Sequence, residues 1–253
     1  MTMQETYLRN SLVTVFMREW QRMSTEPSRL AGVFLQPLVF LLIFGLGFHD
    51  SFVWKERGVD YTTFFFPGIV GLVVLFSSIY ATLTLVEDKR CGFFKLVLIA
   101  PGGILGALLG KIVATASLGF AQSLCFFPML LMLPIKLSST IIFWMVLLVA
   151  IGAITFATLG VLFAWLSPSA SAFHALMSVI LVPMWLLSGA MFPLKGMFSW
   201  ISVVNPMSYL VQGLRGSMLA MADPWPEALV LLLFIVVLSF MLYGATRRSR
   251  VKI

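Results

Sequence analysis

The sequence predicts an all-α membrane protein with six membrane-spanning helices, and three observations carry that prediction. Of its 253 residues, 60% are hydrophobic and only 11% charged, with a mean hydropathy of +1.01. A water-facing domain carries about a quarter charged residues, because even a large core needs a polar skin. The chain also divides into six apolar runs close to the ~20 residues that a helix needs to cross ~30 Å of hydrocarbon. Finally, Lys and Arg are spread unevenly over the connections between those runs, the asymmetry that orients membrane proteins.

The runs cover residues 30–48, 64–86, 112–133, 141–166, 172–192 and 228–246, within a single domain of residues 1–253. No Asp or Glu falls inside any of them. Pro37, Pro67, Pro128 and Pro183 sit in or near the runs, where neighbouring helices satisfy the freed carbonyls. Lys111 opens the third run and reads as an anchor snorkelling to the interface. Six spans place both termini on one side. That side holds Arg9, Arg18, Arg22, Arg29, Lys89, Arg90, Lys95, Arg247, Arg248, Arg250 and Lys252. The other holds only Lys55, Arg57, Lys136, Lys195 and Arg215. The richer side is expected to be cytoplasmic. The net charge of +7 is thereby explained by topology, and no nucleic-acid partner is expected. Cys91 lies in a charged loop and Cys125 in an apolar run, so no disulfide is expected. The first 30 residues carry four arginines and no cleavage site, so the N-terminus is expected to be retained.

Two segments outside the runs have a pattern of their own. Residues 7–23 place Leu8, Leu12, Val15, Phe16, Trp20 and Met23 at helical spacing, with Arg9, Arg18 and Arg22 elsewhere on the wheel. This predicts an amphipathic helix in the cytoplasmic membrane interface, in which Phe16, Arg18 and Trp20 are the marked positions. Residues 193–225 are too polar to cross, yet carry Met197, Phe198, Trp200, Ile201, Tyr209, Leu210 and Leu214. Short helices dipping into the outer leaflet fit that mixture.

No catalytic signature is present. The chain has no Gly-rich loop ending in Lys-Ser/Thr, so it is not expected to hold ATP itself. His49 and His174 are too few for a histidine metal site. Met177, Met184 and Met191 recur every seven residues, a spacing that suits adaptable packing better than a copper site. His174 reads as a hydrogen-bonded interfacial residue. No catalytic residue and no metal ligand is assigned, and the chain is not expected to be an enzyme alone.

The informative stretch is Glu87-Asp88-Lys89-Arg90-Cys91-Gly92-Phe93-Phe94-Lys95-Leu96-Val97-Leu98-Ile99-Ala100-Pro101. Charges come first, a glycine follows, and an apolar run ends in Pro-Gly-Gly. Such an amphipathic cytoplasmic segment suits docking on a partner protein. On the outer side, Pro183, Leu187-Ser188-Gly189 and Phe192-Pro193 are followed by Asn205-Pro206, Tyr209 and Arg215. The first stretch, with Gly110-Lys111 opening the next run, resembles the coupling loop of ABC-2 type permeases. The second resembles the fifth-span and outer re-entrant motif of the same family, especially its drug, lipid and nodulation-factor exporters. The two motifs in this order, within this topology, cover nearly the whole chain.

The resemblance implies a permease subunit of an ATP-driven exporter, multi-pass in the bacterial inner membrane. It implies two permease chains, as a homodimer or close heterodimer, and two separate ATPase subunits that carry the ATP and Mg²⁺. Glu87, Asp88, Arg90, Gly92, Phe93, Phe94, Lys95 and Pro101 would couple to the ATPase. Pro193, Asn205, Pro206, Tyr209 and Arg215 would form an outer gate. Phe76, Tyr80, Met184 and Ser188, on the second and fifth spans, would line the route. Many relatives carry a polar residue and Glu where this chain has Phe93, Phe94 and Lys95. That departure implies an acidic patch on the partner ATPase. The few polar side chains on these two spans suit a hydrophobic, amphipathic or lipid-linked cargo. A polysaccharide exporter of the same fold would need more aromatic side chains along the route. A proton-driven secondary transporter would need mid-membrane acids and inverted repeats, and a membrane-anchored structural protein would have no use for the docking segment.

Overall fold

The computed structural model describes residues 3–25, 34–35, 37–47, 53–54, 58–92, 103–193 and 199–250. Almost all of these are helical. Four helical segments are long and apolar enough to cross a membrane: Tyr61–Arg90, Gly103–Met132, Ser139–Leu166 and Trp225–Arg248, with the shorter Ala170–Leu186 beside them. The first expected run lies partly outside the described residues. Its described part includes a π-wound segment, Leu41–Leu46.

The centre of the fold is α2 (Tyr61–Tyr80). Asp60 caps it, accepting from the Thr63 backbone at 3.1 Å and the Thr63 hydroxyl at 2.7 Å, which satisfies an orphan N–H of the first turn. Asp60 also ends a short antiparallel hairpin, Val53–Trp54 with Val59–Asp60, which the sequence pattern had not announced. From Thr63 to Ile79 every residue of α2 is buried. A helix apolar on all faces belongs in the middle of a bundle, and α4 (Gly103–Leu124), α5 (Ser139–Leu166) and α8 (Pro206–Met218) surround it. The expected run 64–86 breaks at Ala81–Thr82, where the Thr82 N–H reaches back to Ile79 at 2.9 Å. It resumes as α3 (Leu83–Arg90).

Small residues set the helix spacing, as they do where lipid offers no hydrophobic drive for association. A methyl group at Gly110 would lie 2.9 Å from the Leu12 carbonyl oxygen, and one at Gly68 would lie 2.8 Å from the Ala190 methyl.

Helix α4 begins at Gly103, nine residues before the expected start at 112, and continues as a 3₁₀ turn, Phe127–Met132. The expectation used Lys111 to mark the membrane edge, but that lysine lies inside the helix with its charge neutralised. Helix α1 (Met3–Thr25) runs lengthwise and parallel to α4. Leu12 meets Gly110, the Trp20 indole donates to the Ser117 hydroxyl at 3.0 Å, and Met23 joins Leu118 and Ala81.

Ser138 caps α5 and Ser169 caps α6 (Ala170–Leu186). Only Ser167, Pro168 and Ser169 separate these two helices. α6 stops before the expected 192, because the chain turns over Leu187–Ala190 with Gly189 at φ +79°. Two short helices follow within the 193–225 segment, α7 (Ser199–Val204) and α8. α8 is buried against α2, α5 and α9 (Trp225–Arg250). α9 leaves Leu233, Val236 and Phe240 exposed, an apolar flank fit for lipid.

Candidate functional site

Of the charges in the segment expected to dock on a partner, Glu87, Asp88 and Lys89 are engaged by neighbouring helices. Asp88 is buried, and Arg18 reaches its Oδ1 at 2.5 Å while Arg22 reaches it at 3.3 Å. Arg22 also pairs with Glu87 at 3.2 Å. Behind them Lys111 lies 2.7 Å from Glu19 Oε1 and 3.9 Å from Asp88 Oδ2. Lys111 and Glu19 are each only 2% exposed. The Thr84 hydroxyl sits between them, donating to Glu19 Oε2 at 2.8 Å and accepting from the Lys111 ammonium. Three acids and three bases thus join α1, α3 and α4 in one charge-balanced junction, buried at Glu19, Asp88 and Lys111 and partly open at Arg18, Arg22 and Glu87. Burying such charges is costly unless each is paired and hydrogen-bonded, and here each has a partner.

These contacts correct two expectations. Lys111 is not a snorkelling anchor: its ammonium points into the protein, because α1 brings a carboxylate to it. Arg18 and Arg22 do not sit on a free polar face of α1, because they pair with the end of α3. Sequence reasoning missed Glu19. The available signal was its register, since Val15, Glu19 and Met23 fall four residues apart on one helix face and all three are buried. An acid in an apolar stripe needs a buried base opposite it.

Lys89 was also missed. Its ammonium donates to the backbone carbonyls of Ala164 at 3.2 Å, Trp165 at 2.5 Å and Ser167 at 3.0 Å. These close the C-terminal end of α5, where last-turn carbonyls lack helical partners and a cation complements the dipole. Glu87 and Asp88 therefore share Arg22 of α1, Asp88 also reaches Lys111 of α4, and Lys89 holds the end of α5. Arg90 is exposed. Gly92 ends the helix at φ +73°, a left-handed conformation that glycine adopts without penalty. Phe93, Phe94, Lys95 and Pro101 lie outside the described residues. Phe16 and Trp20 pack with tilted rings, 6.2 Å between centroids, on the flank of α1 where Trp20 meets Ser117.

Of the residues expected to form an outer gate, Asn205 and Arg215 converge on the turn that ends α6. Asn205 caps α8 through Met207 N at 3.0 Å, and its amide donates to the carbonyls of Met184 at 2.7 Å and Leu187 at 3.2 Å. Pro206 is the first helical residue of α8. Arg215, 8% exposed, donates to the carbonyls of Phe64, Gly189 and Ala190 at 3.0–3.4 Å and stacks on the Phe64 ring at 3.9 Å. The Tyr209 hydroxyl donates to the Val203 carbonyl at 2.9 Å. Pro193 is half-buried just beyond this turn.

Of the four residues expected to line a route, Phe76 and Ser188 are buried within the chain, while Tyr80 and Met184 keep some open surface. Tyr80 stacks on Phe76 and neighbours the exposed His174. Met177 is buried in the core, with Met184 and Met191 packed against it. Among the described residues no cluster of His, Cys, Asp or Glu could hold a metal ion.

The chain is similar to several transport permeases and nodulation proteins. A transport permease, ycf38, of Cyanophora paradoxa is 29% identical over 215 residues, covering 81% of this chain and 72% of its own. Nodulation protein J of Neorhizobium galegae is 26% identical over 257 residues, covering 90% and 88%. Nodulation protein J of Rhizobium leguminosarum bv. trifolii is 27% identical over 241 residues, covering 87% and 86%. The family model of the ABC-2 type transporters matches residues 10–219, which takes in the ionic junction, the helices from α2 to α8 and the turn after α6, and this chain belongs to that family.

Proposed function

We propose that the chain is the permease subunit of an ATP-driven exporter that moves a hydrophobic, amphipathic or lipid-linked substrate from the cytoplasm or inner leaflet. A separate ATPase, which carries ATP and Mg²⁺, docks on the segment 87–101. The observation that carries this reading is the grip of Glu87, Asp88 and Lys89 on α1, α4 and the end of α5. A push on a loose loop would dissipate in the loop. Here the start of the segment, Glu87–Lys89, is fastened to three helices by charge-assisted contacts, which are short and directional, and through it displacement at the docking surface would reach the bundle. The outer contacts of Asn205 and Arg215 close the opposite end and would have to yield for cargo to leave. Two permease chains with two ATPases, in a bacterial inner membrane with both termini cytoplasmic, complete the assembly.

The test is co-expression with the ATPase encoded beside this chain, purification in lipid nanodiscs, and measurement of ATP turnover with Asp88→Asn and Arg90→Ala permeases. The expected result is a stable complex whose turnover depends on both residues. If no ATPase co-purifies with the wild-type chain, the reading fails.

A further inference from the structure

Helix α6 is held at its ends, and between them it buries one face, with Met177 and Leu181 in the core, and leaves the other open. At the outer end the Trp185 indole donates to the Gly68 carbonyl at 2.9 Å, and Asn205 holds the Met184 carbonyl. Along the middle, Val179, Ile180 and Val182 are exposed. At the inner end α6 follows α5 through three residues, and α3 is among the few elements it touches. The joint between α5 and α6 is where the Lys89 ammonium sits. Its three donors meet three carbonyls, Ala164, Trp165 and Ser167, and its charge lies 5.6 Å from the centre of the Trp165 ring. Two of those carbonyls belong to the last turn of α5 and the third to the joint itself. The neighbouring Glu87 and Asp88 turn the other way, to α1 and α4.

We propose that Lys89 is a positioning residue that transmits displacement of the 87–101 segment to the inner end of α6, while Glu87 and Asp88 transmit it to α1 and α4. This rests on the coupling role proposed above and adds a division of labour to it. Pro168 and the short joint leave little slack, so an end of α5 that moves with Lys89 carries Ser169, the cap of α6, with it. The outer attachments then act as the pivot. A purely structural helix cap would stabilise α5 without making α6 follow the partner's nucleotide state, and that difference can be measured.

The experiment uses the full complex in nanodiscs, with both native cysteines replaced (Cys91→Ser, Cys125→Ser). Spin labels are placed at Ser171→Cys and Phe240→Cys, both exposed. Distances are recorded without nucleotide and with vanadate-trapped nucleotide. With Lys89 present, the inner end of α6 shifts relative to α9 by on the order of 2 Å or more, the scale of helix shifts in switching proteins. Lys89→Met abolishes the shift while the ATPase still binds, and Lys89→Arg restores it. As a second route, two glycines inserted between Pro168 and Ser169 leave the cap intact but slacken the joint, and they too abolish the shift. The proposal is overturned if α6 stays still in a wild-type complex that hydrolyses ATP. It is equally overturned if either the folded Lys89→Met complex or the glycine insertion moves like the wild type. Failure of the wild-type chain to bind any ATPase would instead remove the coupling role, and this inference with it.

Discussion

Removing the Lys111 charge should be among the most damaging single changes outside the apolar core. In Lys111→Met, Glu19 keeps, among the described residues, only the Thr84 hydroxyl as a close partner while remaining 2% exposed. Taking one member from a buried ion pair costs roughly 3–5 kcal/mol, because the other charge is stranded. Solvent screening gives no relief at that burial. Replacing both residues with apolar ones of similar size, Glu19→Leu with Lys111→Met, should return stability to within about 1 kcal/mol of the wild type, since the desolvation cost disappears with the pair. Asp88 is then left with Arg18 and Arg22, which already sit closer to it than Lys111 does. The two sites therefore couple by roughly 3 kcal/mol or more, at the upper end of measured cycles. Equilibrium unfolding of the purified chain in mixed micelles, followed by tryptophan fluorescence, measures all four corners of the cycle. A Lys111→Met chain within 1 kcal/mol of the wild type, or a double variant as unstable as the two losses summed, would refute the buried pair.

Asp88→Asn should destabilise by about 2–3 kcal/mol, because Asp88 is buried and serves Arg18 and Arg22 at once; Glu87→Gln, whose partners stay partly in water, should fall within about 1 kcal/mol in the same unfolding assay. Arg215→Met should cost about 2–3 kcal/mol by stripping donors from three buried carbonyls, with Arg215→Lys intermediate because a point charge cannot span them. Labelling with a membrane-impermeant maleimide should reach Cys91 only after the membrane is opened, and Asp223→Cys in intact cells; the reverse pattern would invert the proposed topology.

What could be read in the sequence follows from what a membrane demands of it. Runs of apolar residues must be helices, so the helices at 64–86, 141–166 and 228–246 were legible to within a few residues. Their ends were less so. Asp60, Ser138 and Ser169 place helix starts by local capping, which hydropathy does not register. The site was legible as a charged segment beside an apolar one. Its geometry was not, because pairings such as Arg18 with Asp88 join residues 70 apart in the chain. Lys111 was misread for the same reason. A lone lysine at the edge of an apolar run looks like a snorkelling anchor until a distant helix supplies Glu19. Lys89 looked like one more cytoplasmic base in the topology count, and only the fold reveals that the end of α5 lies within its reach.

The burial of so much charge at this junction also bears on why it exists. Buried ion pairs are weak sources of net stability, and apolar replacements often do as well. What they supply is registry: Glu19 opposite Lys111, and Arg18 opposite Asp88, fix the rotation and axial position of α1 against α3 and α4, which apolar contacts alone leave free to slide. Gly110, where α1 comes close enough to exclude a methyl group, makes that register still tighter. The coupling role proposed above calls for such indexing more than for extra stability. The Glu19→Leu, Lys111→Met double variant therefore separates the two properties. It should unfold like the wild type, yet its complex should hydrolyse ATP with weakened dependence on cargo, because α1 and the docking segment no longer move as one body. A double variant that keeps full cargo dependence would show that registry at this pair is dispensable and that the remaining contacts of Arg18 and Arg22 suffice.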